Sequence, residues 1–304
     1  MLYRPLGRTG LTVSEIGFGC ASWWGKGAFA EREAVGLVHG ALDLGVTLFD
    51  TGASYSGGEA EARLGRALKG RDASGLVVAS KAGTFFANGR VERDFSPAGV
   101  RASVERSLRL LGVEALGLLQ LHGPAMGELT GELYEELTAL KARGLARAVG
   151  VNSFDLAVIG AAIRRPEIDA VMLDFNVLRP ERQPLIAAAA AAGKGVLAGM
   201  PLAMGHTGLK VAQIRGARDL WYAARGLARH LDDVRAGARF GFLHRLEGMT
   251  GSQAALAYVL ANRDVSAAVI GTTRMKHLIE DVAASGMTLP ADLLARIEAA
   301  QAGR

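Results

Sequence analysis

Short, nearly all-apolar runs alternate along this chain with longer stretches whose apolar residues recur every three or four positions. The opening residues, with Gly7, Gly10 and alternating Leu11, Val13 and Ile16, predict a short hairpin and then a strand ending at Gly17 and Gly19. Glu31 to Leu44 carries Val35, Leu37, Val38, Ala41 and Leu42 at helical spacing and stops before Gly45, which suits a C-terminal cap. Strands then follow at Val46 to Phe49, Leu76 to Ser80, Leu116 to Leu121, Ala146 to Val151, Ala170 to Leu173, Val196 to Ala198 and Ala267 to Ile270. Between them lie helices at Glu59 to Leu68, Pro97 to Leu111, Glu132 to Arg143, Leu156 to Arg164, Ala187 to Ala192 and Ser252 to Ala261, and Met275 to Ala284 and Leu289 to Ala300 read as closing helices.

Continuous apolar strands separated by amphipathic helices imply parallel pairing with both sheet faces covered. The alternation breaks once, between Gly205 and Gly251, where the chain turns Arg-rich, polar and aromatic. No domain linker interrupts residues 1–304. We therefore expect one α/β domain: a single (β/α)8 TIM barrel with an N-terminal β-hairpin and a long loop insertion before the seventh helix, in preference to a doubly wound sheet.

Composition narrows the setting. With 50% hydrophobic and 21% charged residues over 304 positions, the chain can bury a sizeable core and is not disordered. Thirty-five basic against 30 acidic residues leave a net charge of +5, interspersed along the helices and too weak to argue for nucleic acid. Cys20 is the only cysteine, which excludes an intrachain disulfide and a zinc thiolate cluster and suits a reducing cytoplasm. The N-terminus lacks the apolar core of a signal peptide, and the weakly charged window from Pro184 to Gly205 divides at Gly193 and Lys194 into helix, turn and strand, so no membrane partner is expected. The histidines other than His122, at His39, His206, His230, His244 and His277, show no metal-ligand spacing, and we expect no metal. Gly17-Phe-Gly19-Cys-Ala-Ser22 has only part of a dinucleotide fingerprint and opens no helix, and Gly25-Lys26-Gly27 is not a P-loop.

In a barrel, residues at the C-terminal ends of strands face one mouth. Asp50 ends the second strand, Lys81 the third and His122 the fourth, while Tyr55 hangs in the loop marked by Gly52, Ser54, Gly57 and Gly58. Each alone has an ordinary structural explanation: a cap, a snorkelling lysine, a histidine bound to a carbonyl. Together they make a proton donor for a carbonyl oxygen. A phenol is a poor acid at neutral pH, and an adjacent ammonium lowers its pKa. Asp50 would keep Lys81 charged and oriented, and His122 would donate a second hydrogen bond to the substrate oxygen.

The stretch Asp50-Thr-Gly-Ala-Ser-Tyr55-Ser-Gly-Gly-Glu59 resembles the signature of the aldo-keto reductases, whose strand-end tetrad is Asp, Tyr, Lys and His. The resemblance runs almost end to end, through Lys81, Leu118-Leu-Gln-Leu-His122-Gly-Pro124, Gly150-Val-Asn-Ser-Phe154, Pro201-Leu202 and the run from Ile270 to Asp281. It implies a (β/α)8 barrel, usually NADPH with NADH as the alternative, and reduction of a small-molecule aldehyde or ketone. It further implies that Asn152 and Ser153 hold the nicotinamide carboxamide, in the reverse of the family's usual order. Leu202, Gly271, Thr272, Thr273 and Arg274 would line the cofactor, with Arg274 and the helix start at Met275 toward an adenosine 2′-phosphate. His277 replaces a second basic residue there, and Glu280 and Asp281 match the adenine-edge positions. Met172 stands in place of a carboxamide-binding Gln, Gly199 and Met200 replace the frequent Tyr-Ser, and Gly117 replaces an Asp.

Trp23, Trp24, Phe85 and Trp221, with Phe86 and Tyr222, fall in loops expected at the mouth and are candidates for an apolar substrate pocket. Three rival readings use the same residues: Lys81 as a Schiff-base lysine, which a neighbouring Asp50 opposes; a nucleotide-binding regulatory subunit; and an NAD-dependent sugar or aldose dehydrogenase.

Overall fold

In the computed structural model, which describes residues 1–205 and 231–303, the apolar runs become strands β1 (Tyr3–Pro5), β2 (Thr12–Ser14), β3 (Ile16–Gly19), β4 (Leu48–Asp50), β5 (Val77–Ala82), β6 (Thr84–Ala87), β7 (Arg90–Arg93), β8 (Leu118–His122), β9 (Val149–Asn152), β10 (Ala170–Asp174), β11 (Gly195–Gly199) and β12 (Ala267–Ile270). The strands from β3 onward, other than β6 and β7, form a closed barrel in the order β10-β11-β12-β3-β4-β5-β8-β9. Every pair in it is parallel.

The helices are α1 (Glu31–Asp43), α2 (Ala60–Leu68), α3 (Pro97–Leu111), α4 (Gly131–Ala142), α5 (Leu156–Ile163), α6 (Gln183–Ala191), α7 (Leu231–Gly237), α8 (Gly251–Ala261), α9 (Met275–Val282) and α10 (Ala291–Ala302). Local chemistry sets their ends. Ser96 Oγ accepts the Gly99 amide at 3.0 Å to start α3, and Thr250 and Gln253 form a reciprocal capping box at α8.

Side chains alternate across each strand. Phe49, Val78, Leu119, Leu121, Val149, Val151, Val171 and Leu173 pack outward into a core shared with the helices. Leu48, Val77, Ala79, Leu118, Ala148, Ala170, Met172, Leu197, Ala267 and Val269 form a second, inner cluster with Leu6, Leu11 and Val13. These last residues belong to the β1–β2 hairpin, whose turn is anchored where the Arg8 amide donates to Gly193 O at 2.9 Å. The hairpin thus closes the barrel floor with apolar residues. No described helix is long and apolar enough to cross a membrane.

Two expectations change. Residues after Lys81 form an antiparallel β6–β7 ribbon, not a plain loop, turning at Asn88 and Gly89 with φ of 52° and 78°. Positive φ at both central residues is the requirement of a type I′ hairpin turn, and Asn-Gly meets it. The insertion beyond Gly205 is likewise not all loop: residues 231–245 are helical, and Phe240 and Leu243 are buried against the core.

Candidate active site

Two positions beyond the apolar inner cluster, the inward row turns polar. Asp50 follows Leu48, Lys81 follows Ala79, Gln120 and His122 follow Leu118, and Asn152 ends β9. The register sets Lys81 beside Gln120 and His122 beside Asn152. Lys81 is buried to 1% exposure, and its Nζ donates to Asp50 Oδ2 at 2.5 Å and to Thr51 O at 2.8 Å. Gln120 Nε2 donates to the other carboxylate oxygen, Oδ1, at 2.9 Å. Both oxygens of a nearly fully buried carboxylate are therefore engaged, the condition for keeping an ion pair inside a barrel.

Tyr55 begins a short 3-10 turn, Tyr55–Gly58, that follows β4. The Lys81 ammonium lies 4.7 Å from its ring centroid, and the ring meets His122 edge-on at 5.3 Å. Burial, the largest single influence on Lys81, pulls its pKa down, but attraction to Asp50, interaction with Tyr55 and hydrogen bonding outweigh it, and the net shift is upward from 10.5. Lys81 is held as a cation.

His122 is driven the other way. Burial, then the positive charges of Lys81 and Arg93, lower its pKa from 6.5 to about 3, so the imidazole is neutral. Its Nδ1 lies 2.6 Å from Thr84 Oγ1 and 3.4 Å from Ser54 Oγ, and the two hydroxyls lie 3.2 Å apart. Thr84 reaches this position because Gly83, at φ +89°, bends β5 into β6 under Phe95. A Cβ on Gly83 would stand 2.1 Å from the Phe95 ring. Gln120, Thr84 and Ser54 were not singled out from the sequence. Inward alternation on β8 identifies Gln120, and the Asn-Gly hairpin identifies the ribbon that carries Thr84.

The expected cofactor residues sit around the other half of the mouth. Asn152 and Ser153 are buried at the end of β9. Ser153 Oγ accepts the Asp155 amide at 3.1 Å. The Asn152 carboxamide makes no hydrogen bond among the described residues. Gly199 and Met172 face each other from neighbouring strands, a Cβ on Gly199 falling 3.2 Å from Met172 Cε. Sulfur and methyl thus fill the space that a side chain on Gly199 would take. Leu202 is half-buried beyond β11. Gly271 and Arg274 are exposed, Thr272, Thr273 and His277 half-buried, and the Met275 and Lys276 amides at the start of α9 donate to no group among the described residues. Glu280 is half-buried on α9, while Asp281 is buried at 2% exposure and faces the protein.

These residues fit a nicotinamide dinucleotide. Asn152 stands beside His122 with its carboxamide unbonded among the described residues, and the start of α9 presents two amides, likewise unbonded among them, with Arg274 for an anionic group. A nicotinamide held by these residues would supply or accept a hydride.

The aromatic set is corrected in part. Trp24 is a core residue, 1% exposed, with its indole N–H donating to Ala34 O at 3.2 Å and its ring edge-on to Phe18. It is too deep to line a substrate pocket. Trp23 is half-buried on the core's edge and Phe85 half-buried on β6. Trp221 and Tyr222 lie outside the described residues. No cluster of three or more potential metal ligands occurs among the described residues.

A closed parallel (β/α)8 barrel thus brings a carboxylate-held ammonium, a phenol and a neutral imidazole to one mouth. Residues 15–302 match the model of the aldo/keto reductase family, and the chain belongs to that family. It is thus an oxidoreductase working with a nicotinamide cofactor. The chain is 30% identical to L-galactose dehydrogenase of Arabidopsis thaliana over 92% of its length and 87% of that protein's. It is 27% identical to D-threo-aldose 1-dehydrogenase of a Pseudomonas species, over 96% and 95%. Among solved structures, the holo form of aldo-keto reductase AKR11C1 from Bacillus halodurans superposes with a TM-score of 0.82 at 26% identity, covering 99% of this chain and 96% of that one.

Proposed function

We propose that this protein reduces the carbonyl of a small aldehyde or ketone with NADPH, Tyr55 being the general acid. The observation that carries this reading is the Lys81 ammonium, buried, fixed by Asp50 and Thr51, and set 4.7 Å from the Tyr55 ring centroid. A positive charge there stabilises the negative charge that the phenol oxygen acquires as its proton leaves. Asp50 keeps that charge in place, with Gln120 on its second oxygen. Neutral His122 donates a hydrogen bond to the substrate oxygen and orients the carbonyl. Arg274, exposed at the start of α9, supports a preference for the 2′-phosphate of NADPH. A cytoplasmic setting belongs to this reading, supported by Cys20 as a free, buried thiol.

The test is Tyr55→Phe. It should bind NADPH as the parent does, by fluorescence titration, and lose about 10²-fold or more of kcat on the best substrate of an aldehyde and ketone panel. Near-parental turnover would remove Tyr55 from the role of acid.

The names of two relatives favour a second reading, oxidation of an aldose or related sugar. The same residues serve it in reverse, Tyr55 taking the hydroxyl proton. Initial rates for aldoses with NAD+ and NADP+, set against rates for carbonyls with NADH and NADPH, decide direction and cofactor together. Nucleotide binding with no turnover in either panel would instead indicate a regulatory subunit.

A further inference from the structure

The hydroxyls behind His122 have protons that must go somewhere, and counting them fixes the proton on the imidazole. His122 is neutral, so only one of its nitrogens carries hydrogen. Ser54 Oγ, Thr84 Oγ1 and His122 Nδ1 form a closed set, with separations of 3.2, 2.6 and 3.4 Å, and each hydroxyl has one proton to give. Ser54 is 9% exposed and Thr84 6%, which leaves little water to take up a stray donor. Neither Ser54 nor Thr84 has another side-chain partner among the described residues.

Suppose Nδ1 holds the ring proton and gives it to Thr84. Whichever of Thr84 and Ser54 then donates to the other, the remaining hydroxyl proton has no acceptor within the set, because Nδ1 is already protonated. An unsatisfied buried donor costs about 1–3 kcal/mol in general. In the opposite arrangement Ser54 donates to Thr84, Thr84 donates to Nδ1, and every proton is used. The ring hydrogen is then on Nε2, the nitrogen that makes no hydrogen bond among the described residues.

We infer that Thr84, backed by Ser54, is a positioning residue that locks His122 in its Nε2–H tautomer. Nε2 is thereby kept a donor toward the substrate oxygen. The inference rests on the reading of His122 as that donor. It also gives the β6–β7 ribbon a purpose, since Gly83 and Phe95 bend the chain to bring Thr84 within 2.6 Å of the ring. Without the Thr84 hydroxyl the ring is free to flip or to change tautomer, and Nε2 then meets a carbonyl oxygen lone pair to lone pair.

The experiment combines 15N-histidine NMR with kinetics on the best carbonyl substrate. The parent's His122 signals, assigned by their loss in His122→Gln, should show a pyrrole-like Nε2 and a pyridine-like Nδ1. Thr84→Val, which keeps the shape and removes the hydroxyl, should give mixed tautomer signals and lower kcat about tenfold or more, with the NADPH dissociation constant unchanged. Thr84→Ser should restore both the spectrum and kcat to within about twofold, which a packing role for the threonine methyl would not do. A parent spectrum with the proton on Nδ1 overturns the inference, and this outcome needs no variant of Thr84 to fold. So does a Thr84→Val enzyme with parental kcat and an unchanged tautomer. If His122→Gln itself keeps parental kcat, the donor role of His122 falls; if only Thr84→Val is silent, that role stands and the lock alone is wrong.

Discussion

Leu48 and Asp50 stand two positions apart on β4 and point the same way, yet one belongs to the floor of the barrel and the other to its mouth. The same step separates Ala79 from Lys81 on β5 and Leu118 from Gln120 on β8. At the floor, Leu6, Leu11 and Val13 from the hairpin pack against these strands, and nothing there requires a partner of defined geometry. At the mouth each polar group is held by another: Asp50 by Lys81 and Gln120, Lys81 by Asp50 and the Thr51 carbonyl, His122 by Thr84. Burial stabilises the floor outright, whereas at the mouth desolvation costs what the ion pair and hydrogen bonds then offset. The barrel separates apolar packing from mutually held polar groups along its axis, over the length of one strand.

The largest test of that division is Lys81→Met. It leaves the Asp50 carboxylate buried beside one remaining donor, and the expected result is a loss of about 3–5 kcal/mol in denaturant unfolding with kcat reduced about 10³-fold. The double variant Asp50→Asn/Lys81→Met should recover most of the stability and none of the turnover. A double variant as unstable as the single one would mean the mouth contributes packing like the floor, and the contrast would collapse.

Much of this mouth could be read from the chain alone because strand ends are legible. Apolar runs stop at polar residues, and Asp50, Lys81 and His122 sit at those stops. Residues inside the runs were harder. Gln120 lies between Leu119 and Leu121, where only strand alternation marks it as inward and only contact with Asp50 shows its use. Trp24 failed for a different reason: a pair of tryptophans before Gly25 reads as a loop, and which of the two turns into the core is decided by three-dimensional packing against Phe18 and α1, which no local pattern marks. The β6–β7 ribbon carried a clear Asn88-Gly89 signal, hidden by the short strands on either side. The residues proposed to hold the cofactor were expected only through resemblance, since glycine, methionine and threonine carry no spacing of their own.

Next in size is a change at the floor. Leu118→Ala should cost about 2–5 kcal/mol through lost burial and a residual cavity, while kcat/KM stays within about twofold at temperatures where the protein is folded. Equilibrium unfolding and steady-state rates on one preparation check both halves. A fall in kcat as large as that from Lys81→Met would show that the floor positions the mouth through β8. Gln120→Met, on the same strand but in the polar row, should fall between the two classes. Loss of its bond to Asp50 Oδ1 costs about 1–3 kcal/mol and loosens Lys81, so kcat drops while KM barely moves. Unchanged kcat would reassign Gln120 to the structural side of the boundary.

The smallest effect expected is an absence of titration. His122 has its pKa lowered from 6.5 to about 3 by burial and by the charges of Lys81 and Arg93, so its imidazole stays neutral from pH 5 to 8. Its ring proton resonances should not move over that range, and kcat/KM should show no limb belonging to it. The sign for stability follows from where protons bind. Below pH 6.5 the unfolded chain takes up a proton on this residue that the folded protein refuses, so the contribution of neutral His122 is complete above 6.5 and is lost as pH falls toward 3. The slope from one such group is at most about 1.4 kcal/mol per pH unit. Lys81 runs opposite, its raised pKa giving stability that is full below the ordinary lysine value and lost in alkali. In His122→Gln the acid-side slope should shrink by up to one proton while the alkaline side is unchanged. A His122 resonance with a midpoint near 6.5 would show instead that the mouth is as wet as a surface, and the distinction between its held groups and solvent-facing ones would fail at that residue.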